Sequence, residues 1–178
     1  SVVTFNAQSE LHRYKAIGLI DFDHRSPEQI KWLEERRVMV LPVCEAENLI
    51  LLPDVLFQIA LLLHYEPGDA QRLVEIIHEE VGSTAKAMKA EIARRKTKRR
   101  LDETLKNVPQ AGNDVESFDQ GVKEMLSEVD PKAMHVAYVE TISNALDESD
   151  SEALLREVDN KGLVDIAARR FGMKNRKE

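Results

Sequence analysis

The fold is decided by residues 16–23, which read AIGLIDFD. The run 16–20 is continuously apolar, and it ends in two acidic residues, Asp21 and Asp23. A short apolar run of this kind is typical of a strand that is buried on both faces of a parallel sheet. The sequence therefore predicts a central strand over 16–20, with two carboxylates at its carboxyl end.

A helix and a second strand follow directly. Ser26 and Pro27 are typical of a helix start, with serine as the N-cap and proline at the first helical position. The helix is expected to run towards Arg37, and residues 38–43, which read VMVLPV, predict the next strand. Strand, short helix and strand in succession favour a parallel α/β unit.

Acidic residues follow both predicted strands. Asp21 and Asp23 come after the first strand, and Glu45 and Glu47 come after the second. Alternate residues point to the same side of a strand, and ligands of open parallel sheets gather beyond the carboxyl ends of the strands. Four carboxylates meeting there would repel one another unless a cation neutralised them, and Mg²⁺ suits such oxygen ligands. The sequence predicts a site for Mg²⁺ or Mn²⁺, although the same residues could simply end two strands.

The rest of the chain predicts helix. We expect a fold of the α/β class, with a small partial core of parallel sheet over 1–52 and a mostly helical region over 53–178. The first residues, 2–5, form a β-prone run. Helices are predicted around 56–63, 73–92, 118–129, 131–146, 151–158 and 166–171, with a loop over 109–113 and an interruption at 161–163.

Composition excludes several classes of protein. The 178 residues are 43% hydrophobic and 32% charged, which excludes a disordered chain and a collagen-like fibre. The single cysteine, Cys44, allows no internal disulfide and favours a reducing, cytoplasmic setting. The most apolar stretch, 49–63, is interrupted by polar residues and is shorter than a membrane span of about 20 residues, so no membrane partner is expected.

The net charge of −7 conceals a basic segment. Residues 86–106 hold nine basic and three acidic residues, whereas residues 107–160 hold three basic and thirteen acidic ones. Residues 94–100 contain six basic residues in seven, with no large apolar residue among them, and are predicted to project into water. The candidates for nucleic-acid binding are Arg94, Arg95, Lys98, Arg99 and Arg100. The alternative is a solvated helix face.

At this point the sequence resembles a known family. Residues 17–23, IGLIDFD, and residues 41–49, LPVCEAENL, are similar to the later half of a Toprim domain. The likeness is to the Toprim-like region that follows ABC-type ATPase domains, as in the overcoming-lysogenization-defect nucleases and related bacterial ATPases. It covers about 1–60, with a weaker similarity at 159–163, DNKGL, where relatives carry a Lys-Gly pair before a helix.

The resemblance implies metal-dependent phosphodiester chemistry on DNA or RNA. Asp21 and Asp23 would bind the metal with Glu47, Glu45 would complete the metal site, and Lys161 would balance charge on the phosphate; the catalytic set is then Asp21, Asp23, Glu47 and Lys161. Toprim domains open with a strand that ends in glutamate, and this sequence has none before Val2. We therefore expect a C-terminal portion of a longer polypeptide, inactive by itself, whose partners are an upstream ATPase domain and a second copy in a homodimer.

Two other functions stay open at this stage. One is a non-catalytic interaction or regulatory domain whose helices pack against the ATPase. The other is a phosphatase of the haloacid-dehalogenase type, although His24 and Arg25 stand where that fold carries other residues. We interpret His24 as a loop residue that faces water, Cys44 as a small buried residue, and Trp32 as a residue that packs its helix.

Overall fold

The computed structural model describes residues 2–8, 14–106, 114–127 and 129–173. Two strands and eight α-helices are formed within these residues. They are α1 (Val2–Ala7), β1 (Gly18–Ile20), α2 (Pro27–Glu34), β2 (Val38–Val40), α3 (Pro53–Leu62), α4 (Pro67–Lys106), α5 (Val115–Ser127), α6 (Pro131–Asp147), α7 (Ser151–Glu157) and α8 (Val164–Arg170). Single 3₁₀ segments lie at Ala46–Leu51 and Lys161–Leu163. The described chain is thus mostly helical with a small parallel sheet. This confirms the coarse part of the fold-class prediction, a small parallel sheet followed by a mostly helical region.

The two strands pair in parallel, as the sequence predicts. The prediction of a central strand buried on both faces is wrong, because the sheet formed by the described residues has two strands and Leu19 is more than half exposed. Gly18 lies opposite Val38 and Ile20 lies opposite Val40. The pairing continues past the strands, because the amide of Phe22 donates to the carbonyl of Val43 over 3.0 Å. In-register parallel pairing therefore brings the two segments that follow β1 and β2 to the same edge of the sheet.

Helix α2 connects the strands and begins where the sequence places it. The Ser26 hydroxyl accepts from the amide of Gln29, and the Gln29 side chain accepts from the amide of Ser26, which is a complete capping box. Pro27 occupies the first turn, where its missing N–H is not needed. Because α2 packs against β2, the start of the helix is fixed next to the carboxyl end of β1.

The prediction of a strand over 2–5 is wrong, because Val2–Ala7 forms α1. The tertiary setting overrides the β-propensity of this run. The side chain of Asn6 donates to the carbonyl of Ala16 and accepts from its amide, both over 2.8 Å. A Cβ atom at Gly18 would lie 3.1 Å from Cγ2 of Val2. Helix α1 is therefore held against the start of β1 by a side chain and by close packing.

The chain divides into two compact units. The first comprises 1–86 and 145–178, and the second comprises 87–144. The boundary predicted at residue 52 lies inside the first unit. The core of the first unit is aliphatic, and its largest fully buried side chains include Leu51, Leu56, Ile77, Leu155 and Leu163. This core joins the segment after the second strand and its 3₁₀ segment to α3, α4, α7 and α8.

The second unit contains the later part of α4, all of α5 and most of α6. Ile92 and Ile142 are fully buried there. Lys89 donates to the hydroxyl of Ser143 over 2.8 Å, which links α4 to α6. The predicted helices over 118–129 and 131–146 correspond to α5 and α6, whereas the predicted loop over 109–113 lies outside the described residues.

Two further features bear on the predictions. The interruption predicted at 161–163 is the 3₁₀ segment Lys161–Leu163, which leads directly into α8. Within the described part of the chain, no helix has both the length and the apolar character needed to cross a bilayer.

Candidate functional site

The segment after β1 makes a tight turn that is formed without glycine. Asp23 and His24 have φ angles of 51° and 55°, in the left-handed region. Aspartate and histidine tolerate this region better than most residues, yet each still loses about 1 kcal/mol there relative to glycine. The Arg25 guanidinium lies 3.9 Å from the carboxylate of Asp23. Asp21 and Asp23 are both half-buried, so two partly desolvated carboxylates stand at this edge of the sheet.

The segment after β2 is anchored on the core. Cys44 is buried, as predicted, and its amide donates to the carbonyl of Leu155 in α7 over 3.0 Å. Its Sγ atom lies 3.4 Å from Nε2 of His24. The prediction that His24 faces water is therefore wrong, because this half-buried ring contacts the neighbouring segment. The Cys44–His24 contact holds the two segments that follow the strands side by side.

Lys161 joins the second acidic pair from far along the chain. Its Nζ atom lies 3.2 Å from Oε1 of Glu47 and 3.4 Å from Oε2 of Glu45. The hydrogen bond to Glu47, followed by the charge of Glu45, raises the pKa of Lys161 above its ordinary value. Glu45 is mostly buried and Glu47 is about half exposed, so the ammonium group caps a carboxylate pair at the surface.

Asn48 fixes the two loops that bear these charges. It is fully buried, and its Nδ2 atom donates to the carbonyl of Asn160 over 3.3 Å. Asn160 in turn caps the following 3₁₀ segment, because its Oδ1 atom accepts from the amide of Gly162. These bonds set Lys161 opposite Glu45 and Glu47, which are more than a hundred residues away in the sequence.

The fit of a divalent cation depends on how the acidic residues are gathered. In chemical type the four carboxylates suit Mg²⁺ or Mn²⁺, which take oxygen ligands and keep several waters. Among the described residues, however, no group of three or more His, Cys, Asp or Glu side chains is arranged to hold a metal ion. Glu45 and Glu47 already share one cation, the ammonium of Lys161.

The basic segment lies on α4, in the second unit. Arg94, Lys98, Arg99 and Arg100 are exposed, and Arg95 is half-buried. Arg95 forms an ion pair with Glu91, and Arg100 lies 3.7 Å from Glu103. The prediction that 94–100 projects wholly into water is wrong, because Lys96 and Thr97 are buried. The Lys96 ammonium lies 4.5 Å above the ring of Tyr138 in α6, a cation–π contact that a search for apolar residues does not reveal.

Three residues of the first unit are not found by reasoning from the sequence. Asn48 forms the hydrogen bond that joins the two charged loops. The only signal for this role in the sequence is the position of Asn48 next to Glu47. Arg156 lies 5.4 Å above the ring of Phe22, between the two aspartates. The sequence favours a packing role for Trp32, yet 54% of its surface is exposed in the structure.

Comparison of the chain with protein-family models, with curated proteins and with solved structures finds no match.

Proposed function

We propose that the first unit carries a divalent-metal-dependent phosphodiester site, of the kind expected from its resemblance to Toprim-like nucleases. The proposed metal ligands are Asp21, Asp23, Glu45 and Glu47, the proposed charge partner of the phosphate is Lys161, and the substrate is DNA or RNA. When bound, the metal would polarise the phosphate and activate water.

A single observation carries this proposal. Two acidic segments end adjacent parallel strands at one edge of the sheet, and Lys161 is brought to the second of them from a distant part of the chain. Two further contacts hold the acidic segments in place: the hydrogen bond of the buried Asn48 to Asn160, and the contact of Cys44 with His24.

The roles of the residues follow from their positions. Carboxylates at a sheet edge can hold a cation and its waters, because each of the two adjacent strands is followed by an acidic pair, and Asp21, Asp23 and Glu45 are partly desolvated. Lys161 can exchange its contact with Glu47 for a phosphate oxygen, since its side chain is largely exposed. The exposed cations of α4 would add phosphate contacts of the sequence-independent kind.

The test is a calorimetric titration of the intact chain with MnCl₂ and with MgCl₂. We expect a binding isotherm for the wild type that is lost in Asp21→Asn/Asp23→Asn and in Glu45→Gln/Glu47→Gln. The matched control is Glu75→Gln/Glu79→Gln, which removes the same charge from exposed positions of α4 in the same unit. Absence of metal binding by the wild type, or equal binding by all variants, would overturn the proposal.

A second candidate function is a non-catalytic interaction domain, and one observation favours it. Leu19 and Met39 are paired neighbours on one face of the sheet, and both are more than half exposed. Parallel sheets are normally covered on both faces, so this face is suited to packing against another domain or a second copy of the chain. If the titration detects no metal binding, this is the function that the structure supports.

A further inference from the structure

Trp32 stacks against Arg36 at the surface of α2. The guanidinium carbon of Arg36 lies 3.9 Å from the centre of the indole ring, and Nη1 of Arg36 donates to the carbonyl of Trp32 over 3.0 Å. The stack restrains the ring, while about half of the residue remains exposed. An exposed aromatic ring that is already ordered can bind a flat ligand with little loss of side-chain entropy.

Trp32 lines an open groove of about 400 Å³, a volume in the range of small-ligand sites. The groove is lined by Arg25, Glu28, Gln29, Trp32 and Leu33. These residues recur at the spacing of one helix face, so the groove runs along α2. Trp32 lies six residues after the N-cap, about 9 Å along the helix axis.

The groove begins at the acidic segment after β1. Arg25 lines its end and also lies beside the carboxylate of Asp23. The Nε atom of Arg25 is buried and has no hydrogen-bond partner within the described part of the chain. A guanidinium donates in a planar fork that matches phosphate oxygens. The buried Nε itself faces away from solvent, but the Arg25 side chain is 30% exposed, so one end of the groove offers a guanidinium and the other offers an aromatic face.

We infer that this groove is a nucleotide subsite for single-stranded nucleic acid, with a base stacked on Trp32 and a phosphate directed to Arg25. Stacking on an aromatic ring is the usual way in which proteins hold unpaired bases without reading their sequence. An apolar peptide would use Trp32 and Leu33 but would make no use of the partly exposed guanidinium of Arg25, which lies 3.9 Å from the carboxylate of Asp23. The inference rests on the proposed function, because the groove would hold the nucleotide next to the phosphodiester at the acidic segments.

The chain contains a single tryptophan, so its fluorescence reports on this groove alone. The experiment titrates the intact chain with a single-stranded oligothymidylate and with an abasic oligonucleotide of equal length and charge. Both titrations are run in EDTA and again in MgCl₂. We expect the oligothymidylate to quench Trp32 emission and the abasic strand to leave it unchanged.

A second measurement tests variants of Trp32: the fluorescence anisotropy of a labelled oligothymidylate reports how tightly each variant binds it. Trp32→Ala should weaken binding about tenfold, as expected for loss of one base stack, whereas Trp32→Phe should retain most of the affinity. The matched control is Phe118→Ala, which removes an exposed aromatic ring in the second unit. Equal affinity of Trp32→Ala and the wild type would overturn the inference.

The outcomes separate the inference from the proposed function. Metal binding in the calorimeter without any quenching in either buffer would overturn the subsite and leave the metal site in place. Quenching in EDTA without metal binding would support the subsite and overturn the metal site. Equal quenching by the abasic strand would overturn base stacking.

Discussion

Lys161 carries the positive charge that balances the second acidic pair of the candidate site. At neutral pH its ammonium contacts both Glu45 and Glu47, and because its pKa is raised, it stays protonated to a higher pH than an ordinary lysine. The sign follows from linkage: a raised folded-state pKa gives a stabilising contact below the usual value, and the contact is lost as pH rises through the raised one. Neutral and mildly alkaline buffers therefore leave the contact between the loops intact.

We predict that Glu45→Gln/Glu47→Gln lowers the pKa of Lys161 towards its ordinary value of 10.5. The substitution removes both the charge-assisted hydrogen bond and the charge that favour the ammonium form. The pKa can be measured from the pH dependence of the rate at which acetic anhydride modifies Lys161, followed by peptide mass spectrometry. Glu75→Gln/Glu79→Gln should leave it unchanged. A pKa that is the same in all three proteins would show that the contact with the acidic pair is not formed in solution.

At the scale of elements, the candidate site depends on a junction between two 3₁₀ segments. Ala46–Leu51 carries the second acidic pair, and Lys161–Leu163 carries the lysine. Their side chains are aligned by the bond from Asn48 to Asn160 and by the tie between Cys44 and α7. The sheet contributes only three residue pairs, so much of the order at this edge comes from the helices packed below it.

We predict that Asn48→Ala lowers the free energy of unfolding of the first unit by about 1 to 2 kcal/mol, because a buried hydrogen bond is lost. Asn48→Asp should be more damaging, since it places a carboxylate at a fully buried position. Urea denaturation followed by far-UV circular dichroism measures both changes. The control is Asn144→Ala at an exposed position of α6. An Asn48→Ala protein that unfolds at the same urea concentration as the wild type would contradict this account of the junction.

Local signals in the sequence were sufficient for some of these elements. Ser26 and Pro27 mark the start of α2 through chemistry that is complete within four residues, and the apolar runs mark both strands. The helical structure of the β-prone run 2–5 depends on the hydrogen bond from Asn6 to Ala16. The burial of Lys96 depends on Tyr138, which belongs to another helix. No local pattern encodes such contacts. Of the candidate site, sequence spacing indicates the acidic pairs, whereas the exposure of Trp32 and the junction at Asn48 arise only from tertiary packing.

At the scale of the whole molecule, the acidic pairs of the candidate site and the basic segment of α4 lie in different units. The acidic pairs and Trp32 belong to the first unit, and the basic segment of α4 belongs to the second. If the chain binds a nucleic acid, the two surfaces should differ in kind: the groove on α2 contacts a base, and α4 contacts phosphates. Screening by salt acts on the second contribution far more than on stacking.

We predict that Arg94→Gln/Lys98→Gln reduces the salt dependence of oligonucleotide binding. Each lost phosphate contact on single-stranded nucleic acid lowers the slope of log K against log salt by about 0.7, so the double variant should lower it by about 1.4. Fluorescence anisotropy over a series of NaCl concentrations provides the slope. Arg72→Gln/Lys132→Gln, which neutralises two other exposed cations, is the control. A slope identical to that of the wild type would show that the basic segment is only a solvated helix face and does not contact phosphates.

The left-handed turn at Asp23 and His24 has a consequence for anyone who engineers this protein. Glycine adopts these φ angles without steric penalty, so a library screened only for heat resistance is expected to enrich glycine at position 23. Position 24 differs, because glycine there would also remove the contact of the His24 ring with Cys44. Asp23→Gly variants would resist heat better, but they would have lost one of the proposed metal ligands, so they are a poor starting point for studying the activity of this chain.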